Sequence, residues 1–480
     1  MGANAEKWEG NLPDCLQRGK KSLHPEKSDI DGRSHKHLAS EVDESLLFEL
    51  FDKVLCIYSG TDDSALNTVS FPNESNRESQ QNEGAQESKT EMFYSRRGAT
   101  KRQALCMRSL LLQCMQSVAD NNKASASTLL KQIKLWSSPT GDGCQRLAHY
   151  FADGLEARLL GVGNPEHRAV SQRFFTDEET LKAYSMYLSA LPFMDTAYFF
   201  TTRTIMELAE KATSIHIIQF GIVYGGQWSY LIHCLSRRPI GPPKLRITGI
   251  DLPQSGFGPD ARVKETGCRL ASYCKKLNVP FQYNGIAQKW ETLSVEDLRI
   301  EKDEVLIVEC LGQLMHLLDD TIMEHSPRDA VLNLIRIINP DVFVHGVSNG
   351  TYNSPFFTSR FREALFYFSS LFDMFDANLP RENPQRVVFE REMWGKEIVN
   401  ILASEGAERI ERPETYKQWQ NRMIRAGLRQ LPLNRGILKS VKAKVKSRYH
   451  KGFFVDESSG WLLEGWKGRV MFAFSCWKAA

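Results

Sequence analysis

The stretch IHIIQFGIVYGGQWSYLIHCL, residues 215–235, constrains the fold more than any other part of the chain. An aliphatic run passes into Gly221, Gly225 and Gly226 and then into an amphipathic helical pattern. A strand with apolar residues on both sides belongs inside a sheet covered on both faces. Glycines at such a strand-to-helix turn let the backbone approach a ligand near a helix N-terminus, as in dinucleotide-binding turns. The next unit, LRITGID (245–251), ends on Asp251, about where a carboxylate holds ribose hydroxyls. With SIHIIQF (214–220), DEVLIVEC (303–310) and PDVFVHGV (340–347), it predicts a mostly parallel sheet interleaved with helices. GFFVDE, GWLLEGW and GRVMFAFSCW near the end are short and punctuated by glycine and serine, which predicts an antiparallel edge.

The same turn argues against adenosyl chemistry. Its glycines are spaced G-x-x-x-G-G, whereas methyltransferases carry G-x-G-x-G, and bulky Ile222, Val223 and Tyr224 fill the interval. Gln219 stands at the strand end where methyltransferase-like sequences usually have an acid. An amide stabilises a sulfonium or amino group less than a carboxylate does. The expectation is an α/β, methyltransferase-like Rossmann core with a vestigial pocket at Gly221, Gly225 and Asp251, and with no cofactor, catalytic residue or metal. His216, His233, His316 and His345 stand apart and fall in no G-x-S-x-G, H-E-x-x-H or P-loop pattern. His216 reads as structural. Glu309, closing VLIVEC, reads as a hydrogen-bonding group, because proton transfer needs a partner that the sequence does not identify. Ten cysteines include no C-x-x-C pair, so zinc is not expected.

Residues 101–210 read as a mainly helical cap and 211–480 as a mainly α/β core with a helical insertion near 355–380. In the first helix, Leu105, Leu112, Met115 and Ala119 recur near heptad spacing, widened by Leu111 and Val118. Residues 1–100 are rich in Ser, Asn, Gln, Glu and Asp and read as a largely disordered arm. One acidic-hydrophobic segment interrupts it at 41–60, with Leu46, Leu47, Leu50 and Phe51 on a helical stripe suited to a partner groove. Arg96, Arg97, Lys101 and Arg102 form a basic cluster of the kind that nuclear import receptors read. No stretch approaches the ~20 apolar residues of a membrane span, and a cytosolic or nuclear protein is expected.

IHIIQFGIVYGGQW resembles the VHIID motif of the GRAS family, including the aromatic-Gly-x-Gln-Trp run that follows it. Other family blocks occur in order. Residues 104–160 resemble the first leucine-rich region, LKAYSMYLSALPFMDTAYFF the stretch before VHIID, and VLNLIRIINPDVFVHGV the end of the second leucine-rich region. PFFTSRFREALFYFSSLFDMFDANLPR resembles the PFYRE region, ERPETYKQWQNRMIRAGL its tail, and WLLEGWKGRVMFAFSCWKA the SAW block. The resemblance runs from about residue 101 to the end. It implies a methyltransferase-like core with a helical cap, a nuclear regulatory role, and association with other regulators or with itself. The arm's LFELFDKVL resembles the Scarecrow-like branch, which implies transcriptional coactivation. This chain departs from the family at Gln219, where VHIID ends in Asp, and at Gly226, where an aromatic residue is frequent.

Three further features bear on surfaces. Leu314, Leu317 and Leu318 of LMHLL fit an L-x-x-L-L box but read as core, as do Phe361, Leu365, Phe368, Leu371 and Phe372. Trp461, Trp466 and Trp477 read as structural anchors of the terminal strands. The clearest basic cluster spans Arg435, Lys439, Lys442, Lys444, Lys446 and Arg448, with Lys451 beyond, and is expected to contact DNA or a partner. With 61 basic against 58 acidic residues overall, any such contact is local. The sequence therefore predicts a nuclear transcriptional regulator acting through protein contacts and DNA binding, as a homo- or hetero-dimer, with no membrane partner. The alternative is an S-adenosylmethionine-dependent methyltransferase or small-ligand sensor that uses the crevice.

Overall fold

The computed structural model describes residues 106–161, 178–254, 258–319 and 326–480. The segment 41–60, with Leu46, Leu47, Leu50 and Phe51, and the basic cluster at 96–102 lie outside the described residues. The sheet is built around β1 (Ser214–Phe220), which pairs in parallel with β2 (Lys244–Asp251) and with β4 (Val305–Leu311). β3 (Phe281–Ala287) adds beyond β2, and β5 (Val342–Ser348) beyond β4. After β1 the chain builds outward to β3 and then crosses back to β4. The order therefore reverses between β1 and β4, which opens a crevice above their carboxyl ends.

β9 (Arg469–Ala479) lies antiparallel on β5, followed by β8 (Trp461–Trp466) and β7 (Phe453–Ser458). The short β6 (Leu428–Gln430) pairs with the far end of β9. The sequence-predicted strands fall within two residues of β1, β2, β4 and β5. β3 and β6 were not anticipated, because FQYNGIA is half-buried with polar residues and LRQ is too short to show a period.

β1 is buried from Ile215 to Phe220. Ile215 and Ile217 enter one apolar cluster, while Ile218 and Phe220 enter another on the opposite face. The first cluster takes in helices α1 (residues 106–119), α2 (Lys123–Trp136), α3 (Gly143–Leu160), α4 (Glu178–Ala190), α5 (Pro192–Leu208), α6 (Trp228–Ser236) and α7 (Ala261–Lys276). The second is covered by α8 (Pro327–Ile338) through Val331, Leu332 and Ile335. α9 (Phe357–Asn378) buries Phe361, Leu365, Phe368, Leu371 and Phe372, the stripe read from the sequence. α10 (Pro384–Phe389) continues through a π-turn at Glu390–Gly395 into α11 (Lys396–Ala403). α12 (Tyr416–Arg425) and α13 (Arg435–Arg448) follow.

α1 differs from its expected heptad. Its buried residues are Met107, Leu111, Cys114 and Met115, while Leu112 is half-buried and Ala119 exposed. The i, i+4, i+7, i+8 pattern is that of a helix packed on a globular core, not of a coiled coil. α3 begins at a capping box: Asp142 accepts from the N–H groups of Cys144 and Gln145, and Gln145 Oε1 accepts in return from the Asp142 N–H. Buried Arg146 on α3 then reaches Asp376 of α9 at 3.0 Å and Glu390 of the π-turn at 3.0 Å, and Arg386 meets Glu390 from the other side at 2.6 Å. This network fixes the wall of the crevice formed by α9, the π-turn and α11.

Trp461, Trp466 and Trp477 are all buried, and Trp466 donates from Nε1 to Asp373 of α9 at 2.6 Å. Burial of such large side chains is worth several kcal/mol each. Truncation before Gly460 should therefore abolish the cooperative thermal transition seen by circular dichroism. A truncated chain that melts like the full one would contradict this account of the edge.

Candidate functional site

The turn after β1 places three residues in the left-handed region: Gly221 at φ +79°, Val223 at +48° and Gly225 at +65°. The N–H groups of Gly221 and Ile222 bond to the carbonyl of Ile250, at 2.9 and 3.1 Å. The turn thus leans on the end of β2. A Cβ at Gly221 would stand 2.6 Å from Cγ of Gln313, and one at Gly249 would stand 2.6 Å from Cδ1 of Ile222. The room that these glycines leave is taken by the protein's own side chains.

Asp251 is occupied in the same way. Its Oδ2 accepts from Arg262 Nε at 3.0 Å and Nη2 at 2.7 Å, and its Oδ1 from the Leu252 N–H at 2.8 Å. Burial raises its pKa, and the Arg262 guanidinium pulls it back. A two-pronged arginine–carboxylate pair is among the stronger polar contacts. Arg262, in the first turn of α7, was missed in the sequence. Nothing in its spacing from Asp251 announces the pairing.

Gln219 lies opposite Glu309 in the β1–β4 register. Gln219 Oε1 accepts from Trp228 Nε1 at 2.6 Å, and Gln227 Nε2 donates to Glu309 Oε1 at 2.9 Å. Glu309 is 0% exposed, and desolvation pushes its pKa up to about 8 against the pull of hydrogen bonds from Gln227 and Gln219. The amide at 219 thereby acquires a reason. A carboxyl at 219 would put a second acid beside Glu309 in a dry site, where both cannot ionise together. His216 bonds Thr248 at 2.8 Å and is lowered to about 3 by burial, which keeps the ring neutral and structural.

Gly221, Gly225 and Asp251 also line a cavity of 260 Å³ that extends past the turn toward α4, α5, α9 and α11. Leu314 is buried and Leu317 is buried at the cavity lining, and Gln313–His316 forms a single 3-10 turn instead of a helix bearing an L-x-x-L-L face.

The basic cluster resolves into two faces. α13 is capped by Asn434 and buries Ile437, Leu438, Val441, Lys444 and Val445. Lys444 is therefore a correction to the expected contact set. It is 6% exposed, and its Nζ lies 2.7 Å from Oδ1 of buried Asp195, which also accepts from Tyr449 at 2.8 Å. Position 444 falls seven residues after Ile437, on the inward stripe. Arg435, Lys439, Lys442 and Lys446 form the exposed stripe, with Arg448 exposed at its end. Arg435 is paired with Glu457 at 2.5 Å.

Fold and crevice together define a doubly wound α/β protein whose glycine turn and Asp251 are engaged by its own side chains and line a cavity. A model of the GRAS domain family matches residues 107–478, and the chain belongs to that family. It is 48% identical over 464 residues to Scarecrow-like protein 14 of Arabidopsis thaliana, covering 96% of this chain and 60% of that protein. It is 46% identical over 474 residues to Scarecrow-like protein 33 of the same plant, covering 98% and 68% respectively. The crystal structure of SCL7 in Oryza sativa superposes with a TM-score of 0.65 at 30% identity, over 78% of this chain and 99% of that one.

The buried carboxyl group makes a pH prediction. Glu309 is raised from 4.5 to about 8, so its contribution to stability is full below 4.5 and is lost as pH rises through about 8. Glu464 on β8 is raised to about 8 by burial and acts with the same sign. Glu309→Gln should flatten the fall in melting temperature between about pH 5 and about pH 8.5 by a few degrees. An unchanged or steeper fall would show that Glu309 is not held protonated.

Proposed function

We propose that this chain is a nuclear transcriptional regulator that works through contacts with other regulators and touches nucleic acid through the outer stripe of α13. The observation that carries the reading is the arrangement of Arg435, Lys439, Lys442 and Lys446 along one exposed face of a helix that contains no acidic residue. Charges spaced in this way follow a phosphate backbone and position a protein without reading base sequence. Family membership and similarity to Scarecrow-like proteins support the regulatory class. In this reading residues 1–100 are the activation arm, acting through Leu46, Leu47, Leu50 and Phe51, and residues 101–480 are the GRAS domain, which pairs with regulators or with a second copy.

We do not read the chain as an enzyme. A methyltransferase needs room for the adenosyl cofactor and a carboxylate available to the ribose. Gln313 packs against the turn at Gly221, bulky Ile222 stands within it, and Arg262 takes the carboxylate of Asp251.

Reversing Lys439, Lys442 and Lys446 together to Glu should weaken association with duplex DNA. It should also lower the log–log salt slope by roughly 3, about 0.9 for each lost phosphate contact. These side chains are exposed, so the melting temperature should hold. Unchanged affinity and slope would remove α13 from the nucleic-acid surface and leave recruitment by partners.

A further inference from the structure

The part of the cavity beyond the Asp251–Arg262 pair has a different chemistry from the turn. The whole cavity, at 260 Å³, is smaller than the roughly 300–1,000 Å³ of pockets for drug-sized ligands, so an occupant of this part is small. Its walls are aromatic, with Tyr184, Tyr187, Tyr198, Tyr352, Tyr367 and Trp394 in the lining. Tyr187 stacks on Phe389 with centroids 4.6 Å apart, and Tyr352 pairs with Tyr367 at 5.1 Å. The rings are therefore held in place by one another.

Two carboxyl groups face this lining. Asp251 is neutralised by Arg262. The other, Glu397 in the first turn of α11, has no hydrogen-bond donor and no cation paired with it among the described residues. The lining bases do not serve it: Arg262 is engaged by Asp251, and His316 Nε2 lies 3.5 Å from Glu411 Oε2. Glu397 is half-buried, and a carboxyl group partly withdrawn from water without a partner costs free energy. Burial, with the Glu411 carboxyl adding to it, pushes Glu397 well above the usual range.

The backbone holds Glu397 there at some expense. The π-turn at Glu390–Gly395 inserts an extra residue in the helix just before it, and such turns recur at functional sites. Glu390, at the head of the turn, is gripped by Arg146 and Arg386. Gly395 passes so close to α3 that a Cβ would stand 2.8 Å from Tyr150 Cδ1. The wall that carries Trp394 and Glu397 is thus built to a fixed position.

Held protonated, Glu397 can at most hydrogen-bond a neutral molecule, and an anion would add to the repulsion from Glu411; its ionised form is stabilised by positive charge alone. A cation satisfies it, and the faces of Tyr and Trp add their own attraction for positive charge. We propose that the cavity binds a small organic amine, with its ammonium group paired to Glu397 and its apolar body against the tyrosines and Trp394. A regulator with such a site would respond to a metabolite without any catalysis.

The test uses the full chain with three probes of one shape: 2-phenylethylammonium, 2-phenylethanol and phenylacetate. Saturation-transfer NMR and thermal shift should both report the ammonium compound and neither of the others. Glu397→Gln keeps the side-chain shape, should melt no lower than the parent without probe, and should weaken ammonium binding at least about tenfold. Equal binding of the alcohol or the acid, no binding of the amine at millimolar concentration, or unchanged amine affinity in Glu397→Gln would each overturn the proposal.

Discussion

The ion pair between Arg262 and Asp251 decides what the rest of the crevice is. In a doubly wound sheet, the acid that ends the second strand is the group that faces a nucleoside. Here it accepts three hydrogen bonds from the protein, two of them from a guanidinium. The turn follows the same logic. Gly221 and Gly249 lack side chains so that Gln313 and Ile222 can lie against them. Backbone freedom that elsewhere admits a ligand is used here for internal packing.

The other buried polar groups sort into two kinds. Some charges are paired across long stretches of chain: Arg146 with Glu390, Lys444 with Asp195, Arg328 with Glu414 at 3.0 Å. Each pair ties a helix to a distant element, and losing one partner would leave a buried charge alone, which costs several kcal/mol. Others, Glu309 and Glu464, are raised to about 8 by burial and hold their protons at neutral pH. Glu397 is raised by burial as they are, but it lines open space without a partner among the described residues, and this sets the aromatic half of the cavity apart.

Much of the fold was legible in the sequence because its strands carry strong periodic signals. β1, β2, β4 and β5 are apolar runs bounded by turns, and the terminal meander is marked by its glycines. β3 was hidden because an edge strand with Gln, Asn and Gly has no apolar run to read. The candidate site was half legible. Gly221, Gly225 and Asp251 do line one cavity, yet the side chains that engage this region, Arg262, Ile222 and Gln313, come from a helix, the local turn and a distant loop, and no spacing rule links them. Lys444 looked like its basic neighbours. Only the direction of each side chain around α13 separates an internal ion pair from an exposed stripe.

The central claim is that Asp251 and the glycine turn are engaged by the chain's own residues. Calorimetric titration of the full chain with S-adenosylmethionine tests it most directly. The account predicts no saturable heat up to millimolar ligand. Micromolar binding that disappears in Asp251→Ala would contradict it, because it would show that the carboxylate serves a ligand and not Arg262.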